Sequence, residues 1–301
     1  MAAELELGGR ESGTTGPASR GPSSVRPSIE EPNMPTYRGN RGNLMQHWVL
    51  VELLGCIREG AIENLCFVDA YSMSPTPTRS ERAATDQTAH EFDHVRSRLD
   101  RSSSAFEQVW LTLSKDLPSE YPSSAAFIRR GWPERVHLLL CEADQPTADD
   151  IEDWLSRLDE RITSFELYRG DWRRRLAEPA PSDWDAYYFS FDPNMYDLHD
   201  VRSSKAENMY SSDIDLLLGA IRQGREAPVV VQLSTYSVNG GNSQSDVFES
   251  VVPRFAEMNF SATYVRADNS MMSFIFSRGV SVPSDLEDRF RSWLADRRSA
   301  A

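Results

Sequence analysis

The chain has 301 residues, 40% of them apolar, and a net charge of −14, which is enough length to bury a large core as one α/β domain or two small ones. No apolar run approaches the roughly 18 residues needed to cross a membrane, and residues 1–13 lack the basic start and apolar stretch of a secretory leader, so the chain is expected to work in the cytoplasm. The acidic balance argues against extensive contact with a large nucleic acid, because phosphate neutralisation dominates such binding; Cys56, Cys66 and Cys141 read as buried reduced thiols, and the five histidines and three cysteines have no zinc spacing, so no metal is expected.

Residues 1–36 are rich in Gly, Ser, Pro and Thr and lack apolar periodicity. Such a segment cannot offset its ordering entropy, and it reads as a disordered tail ahead of one domain over 37–301. Leu44, Trp48, Val51, Leu54 and Cys56 predict a helix running to about Glu59. Leu65–Asp69 is a short apolar run ending in an acid, the pattern of a buried parallel strand. Residues 76–120 carry two helix-like stretches, Ser80–Leu99 and Ser103–Leu113, and read as a helical insertion.

Val136–Cys141 predicts a second buried strand, followed by Glu142. Thr147, with Asp150 three residues on, is an N-cap signal for the helix carrying Ile151, Trp154, Leu155 and Leu158. Strands are predicted at Ser164–Tyr168, Ala186–Phe191 and Val229–Leu233, with helices at Ile214–Ile221 and Val247–Met258. Ala262–Val265 and Met271–Phe276 sit close together around Asp268-Asn269, a hairpin signal. A last helix is predicted over Ser284–Leu294.

Alternating strands and helices argue for a doubly wound, mostly parallel sheet, and the closing hairpin places one antiparallel strand in it near the C-terminus. Ligands bind such sheets at the carboxyl ends of the strands. Asp69, Glu142 and Asp192 stand at three of those ends, and Asp171 follows a fourth. One acid at a strand end is commonly a helix cap; four together point to a polar ligand.

Several segments then carry a resemblance. Gly39–His47, Phe67-Val68-Asp69-Ala70-Tyr71, Tyr121-Pro122-Ser123-Ser124, Cys141–Pro146, Gly170-Asp171-Trp172 and Asp192-Pro193-Asn194-Met195-Tyr196 follow one another in the order and spacing of six motifs. In these the chain resembles the 23S rRNA adenine-N6 methyltransferase family, the ribosomal large-subunit methyltransferase J type, from about Tyr37 to the C-terminus. The resemblance implies the class I methyltransferase fold and S-adenosylmethionine (SAM) as cofactor.

It also implies a cofactor site of His47, Asp69, Tyr71, Ser124, Glu142 and Asp171, and a catalytic set of Asp192, Pro193 and Tyr196. A carboxylate such as Glu142 can accept both ribose hydroxyls, and Asp171 can accept from the adenine amine. Asp192 and the Pro193 carbonyl can localise the lone pair of an exocyclic adenine amine for in-line attack on the sulfonium methyl, and Tyr196 can stack on an extruded base.

The family's first loop is glycine-rich, whereas this chain reads Tyr71-Ser72-Met73-Ser74-Pro75; the second proline of the catalytic motif is missing, and Met195 adds a residue before Tyr196. Two readings stay open: an N-methyltransferase whose acceptor contains adenine, possible partners being nucleic acid or a smaller substrate, and an inactive protein of the same fold serving as a binding or partner subunit.

Overall fold

The computed structural model describes residues 41–75, 94–99, 104–116, 121–160, 163–179, 181, 183–193, 195–198, 206–223, 226–235, 238, 241–268 and 271–299. All of them lie in the compact unit Thr36–Ala301. The tail over 1–36 lies outside the described residues, as does the stretch 76–93 of the expected helical insertion.

The chain begins with helix α1 (Arg41–Glu59) and strand β1 (Asn64–Asp69). Helices α2 (Ala105–Asp116) and α3 (Ser124–Gly131) lead into β2 (Arg135–Glu142). Then come α4 (Gln145–Leu155), β3 (Thr163–Arg169), the short α5 (Trp172–Leu176) and β4 (Ala186–Phe191). Two three-residue strands follow, β5 (Met195–Asp197) and β6 (Asn208–Tyr210), before α6 (Ser211–Gln223) and β7 (Val229–Thr235). The chain closes with α7 (Gln244–Ala256), the pair β8 (Ser261–Asp268) and β9 (Met271–Arg278), and α8 (Leu286–Ser299).

Seven strands form one sheet in the order β3-β2-β1-β4-β7-β9-β8. Pairings from β3 through β7 are parallel, and β9 alone runs antiparallel to both its neighbours. This is the strand order and the single reversed strand of the class I SAM-dependent methyltransferase fold, which the resemblance implied; the alternation and closing hairpin predicted the mostly parallel sheet with one antiparallel strand.

β4 and β7 are buried along their whole length and β1 along all but its first residue, which is why they read as unbroken apolar runs. One face of the sheet packs on Leu44 and Trp48 of α1, Phe106 and Trp110 of α2, Phe127 of α3, and Phe290 and Trp293 of α8. The other packs on Trp172 and Leu176 of α5, Ile214 and Leu217 of α6, and Val247 and Phe255 of α7. No described helix is long and apolar enough to cross a membrane.

The start of α4 differs from the expectation. Its N-cap is Asp144, whose carboxylate accepts from the Thr147 backbone N–H at 3.0 Å and from the Thr147 hydroxyl at 2.8 Å. Thr147 is therefore a first-turn residue, with Gln145 and Pro146 ahead of it in the helix.

Candidate active site at the carboxyl edge of the sheet

Strand register places the acids. Asp69 ends β1 and is paired with Leu140 of β2 and Ser190 of β4. Glu142 and Asp192 therefore each stand two residues beyond their strand's partner of Asp69. Glu142 is in turn paired with Arg169, and Asp171 lies two residues beyond that. The four carboxylates step along one edge of β3, β2, β1 and β4. Burial pushes the Asp69 carboxyl up to about 7, against the Tyr71 N–H, which favours its charged form, and with a small addition from the Glu142 charge.

Between β1, α1 and the start of α3 lies a cleft lined by His47, Asp69, Tyr71, Met73, Tyr121, Ser124 and Asp192, with Asn43, Gln46, Pro122 and Ser123 completing its wall. Five of the sequence-predicted residues, His47, Asp69, Tyr71, Ser124 and Asp192, thus share one cavity. Its free volume is ≈ 20 Å³, about the room one water needs.

His47 is 4% exposed, and burial pushes its pKa down to about 3, so the ring is neutral. Its Nδ1 lies 2.5 Å from the Tyr121 hydroxyl and its Nε2 3.1 Å from Ser124 Oγ, and the ring stacks on Phe127 at 4.5 Å. The Tyr121 hydroxyl donates its one proton to the Asn43 carbonyl at 3.0 Å. Nδ1 must then be the protonated nitrogen, donating to Tyr121, while Nε2 accepts from Ser124. His47 thus lines the cleft and ties α1 to the 121–124 segment.

The loop after β1 is tightly held. The Tyr71 N–H donates to Asp69 Oδ1 at 3.2 Å, the Ser72 N–H donates to the Cys141 carbonyl at 3.0 Å, and Ser72 Oγ donates to the Asp69 carbonyl at 3.2 Å. None of Tyr71, Ser72, Met73, Ser74 or Pro75 has a positive φ. The loop therefore needs no glycine for its backbone conformation. Met73, however, lines the cleft. The Tyr71 hydroxyl donates to the Asn208 carbonyl at 3.1 Å.

Glu142 and Asp171 flank the same edge outside this cavity. Glu142 Oε1 accepts from the Asp144 N–H at 2.7 Å. Gly170, at φ +152°, turns the chain so that Asp171 caps α5, accepting from the Arg173 N–H at 3.0 Å. A Cβ at Gly170 would approach the Tyr168 ring to 3.3 Å. Pro193 is buried beside Asp192. Tyr196 is 0% exposed, belongs to the buried cluster that includes Phe191 and Met209, and is not among the residues lining the cleft.

Sequence reasoning did not single out Arg173, which binds Asp171 and Asp213. The only hint was its place three residues after Gly170. Among the described residues no group of His, Cys, Asp and Glu side chains could hold a metal ion.

The sequence matches no protein-family model and no curated protein. The fold resembles the crystal structure of a DUF519-family protein of Legionella pneumophila, covering 85% of this chain and 93% of that one, with a TM-score of 0.56 and 14% identity. Looser matches include an rRNA methylase of Streptococcus thermophilus (TM-score 0.37, 12% identity, 80% of this chain and 97% of that one). Another is Aeropyrum pernix fibrillarin, crystallised with natively bound SAM (TM-score 0.33, 10% identity, 51% and 60%).

Proposed function

We propose that the chain is a SAM-dependent N-methyltransferase that acts on the exocyclic amine of an adenine-like acceptor in the cytoplasm. The observation that carries this reading is the register that steps Asp171, Glu142, Asp69 and Asp192 along one sheet edge.

The donor set suits the cofactor. Glu142 is an acceptor for the ribose diol, and Asp171, with oxygen lone pairs beyond those used by its cap and by Arg173, is an acceptor for the adenine amine. Asp69, Tyr71, His47 and Ser124 form the wall on the methionine side. When bound, SAM supplies an electrophilic methyl on its sulfonium. Asp192 accepts from the acceptor amine, and the Pro193 carbonyl is the second acceptor; together they hold the nitrogen lone pair out of conjugation and in line. The net charge of −14 suits an acceptor contacted over a limited surface.

Calorimetry with S-adenosylhomocysteine (SAH), followed by transfer of labelled methyl from SAM to adenosine, RNA and DNA, tests the reading. Low-micromolar SAH binding and label on an adenine amine are expected; no binding at millimolar SAH would refute it. The ≈ 20 Å³ of free space favours a second reading, because ligand pockets run to roughly 300–1,000 Å³. On that reading the fold is kept for a protein partner, and no methyl transfer occurs with any acceptor.

A further inference from the structure

One guanidinium touches both halves of the site. Arg173 donates from Nε and Nη2 to the two carboxylate oxygens of Asp213, at 2.7 and 2.8 Å. Its Nη1 donates to both oxygens of Asp171 at 3.0 and 3.2 Å, and Nη2 also donates to the Asn208 carbonyl at 2.5 Å. The group lies over the Trp172 ring at 4.7 Å and the Tyr210 ring at 5.4 Å. Asp213 also accepts from the Tyr210 N–H at 2.8 Å.

Asn208 and Tyr210 are the ends of β6, which pairs with β5, and β5 begins three residues after Asp192. The Asn208 carbonyl therefore receives two donors: Arg173, which also holds Asp171, and Tyr71, from the loop after β1. Both donors belong to the side assigned to the cofactor, while the acceptor strand belongs to the side assigned to the target amine.

We propose that Arg173 is a positioning residue that couples occupancy of the cofactor site to the pairing of strands β5 and β6 beside Asp192, through Asp171 on one side and the Asn208 carbonyl and Asp213 on the other. This rests on the methyltransferase reading above. A ligand drawing on Asp171 reorients the carboxylate that Arg173 shares. Because a guanidinium presents its donors in one rigid fork, a shift at Asp171 is carried to Asn208 and Asp213. Any such coupling acts in both directions: pairing of β5 with β6 tightens cofactor binding by the same factor.

Hydrogen–deuterium exchange on the full chain, with and without SAH, tests this. In the wild type, SAH is expected to slow exchange at Asn208–Tyr210 and Met195–Asp197 as well as at the strand-end loops. In Arg173→Gln that transmitted protection disappears, and SAH binds roughly 5- to 150-fold more weakly. Arg173→Lys, which keeps the charge and loses the fork, recovers only part. Should Arg173→Gln not fold, the wild-type exchange pattern and Tyr71→Phe, which deletes the other donor to Asn208, decide the matter, with reduced transmission expected.

SAH binding that leaves β5 and β6 unprotected overturns the coupling and spares the methyltransferase reading. So does a variant whose melting temperature falls while its SAH affinity holds, which is the behaviour of a purely structural brace. A wild type that binds no SAH overturns both.

Discussion

The Tyr121 hydroxyl stands 2.5 Å from His47 Nδ1 and fixes which ring nitrogen carries the proton. The same oxygen donates to the Asn43 carbonyl. Replacing Tyr121 by Phe leaves a buried N–H on His47 without its acceptor. The expected loss is about 1–3 kcal/mol of folding stability, read from the urea midpoint at unchanged m-value. A midpoint equal to wild type would mean that the bond contributes nothing net.

The pH dependence of stability follows from two buried groups of opposite sign. Asp69 is raised from 3.8 to about 7, so between those values the unfolded chain has lost a proton that the native state keeps, and stability falls as pH rises. His47 is lowered from 6.5 to about 3, so between those values the unfolded chain binds a proton that the native state does not, and stability rises with pH. Each contributes a slope of up to about 1.4 kcal/mol per pH unit. They oppose each other over the shared window, above 3.8 and below 6.5. Asp69→Asn should therefore make stability climb more steeply through this window in pH-stepped denaturation. His47→Gln should make it decline. Parallel profiles in both variants and wild type would contradict the assignment.

Met73 narrows the cleft, and its unbranched side chain can swing aside. Met73→Ala is expected to tighten SAH binding by a few-fold to about tenfold in calorimetry, since opening no longer requires that movement. Weaker binding would show that Met73 is itself a contact.

Asp192→Asn should abolish methyl transfer while leaving SAH affinity and melting temperature near wild type. Glu142→Ala should weaken SAH by roughly 1.5–3 kcal/mol, the range for hydrogen bonds to a charged group. Full turnover in Asp192→Asn, with the acceptor that the wild type uses, would remove it from the proposed mechanism.

Glu107 sits fully buried, accepting from Trp293 Nε1 at 2.7 Å and from Arg297 Nε and Nη2 at 2.9 and 2.6 Å. Glu107→Ala should cost about 3–5 kcal/mol, as for breaking one side of a buried ion pair. A loss within 0.5 kcal/mol in urea titration, the usual surface range, would mean that water replaces the carboxylate.

The central strands were legible because burial on both faces writes an unbroken apolar run: Ala186–Phe191 was read to the residue. The cap of α4 was misplaced because Asp144 and Thr147 are both N-cap residue types, and only the chain direction after Glu142 decides between them. β5 and β6 left no signal, since three residues are too few to show a period. Register explains why the four acids read from the sequence fall along one edge: Asp69 and Glu142 close β1 and β2, and Asp192 and Asp171 come just after β4 and β3. Partners joined across the fold, such as Arg173 with Asp213 or Glu107 with Trp293, carry no local pattern, because the residues they link are distant in the chain.

The glycine-free loop after β1 has a thermodynamic consequence. A glycine-rich chain explores many backbone states when unfolded and forfeits them on folding. Ser72, Met73, Ser74 and Pro75 forfeit fewer, and their φ angles ask for nothing that only glycine supplies. The loop is thus already frozen, held through Ser72 to the end of β2 and through the Pro75 carbonyl to the Ser123 N–H at 3.3 Å. A rigid floor has little entropy left to lose when a ligand arrives, so adaptation to a guest falls to the side chains above it. Ser72→Gly would restore that freedom to the unfolded chain at a loss of about 0.5–1 kcal/mol, to which the loss of the Ser72 hydroxyl's bond to the Asp69 carbonyl adds.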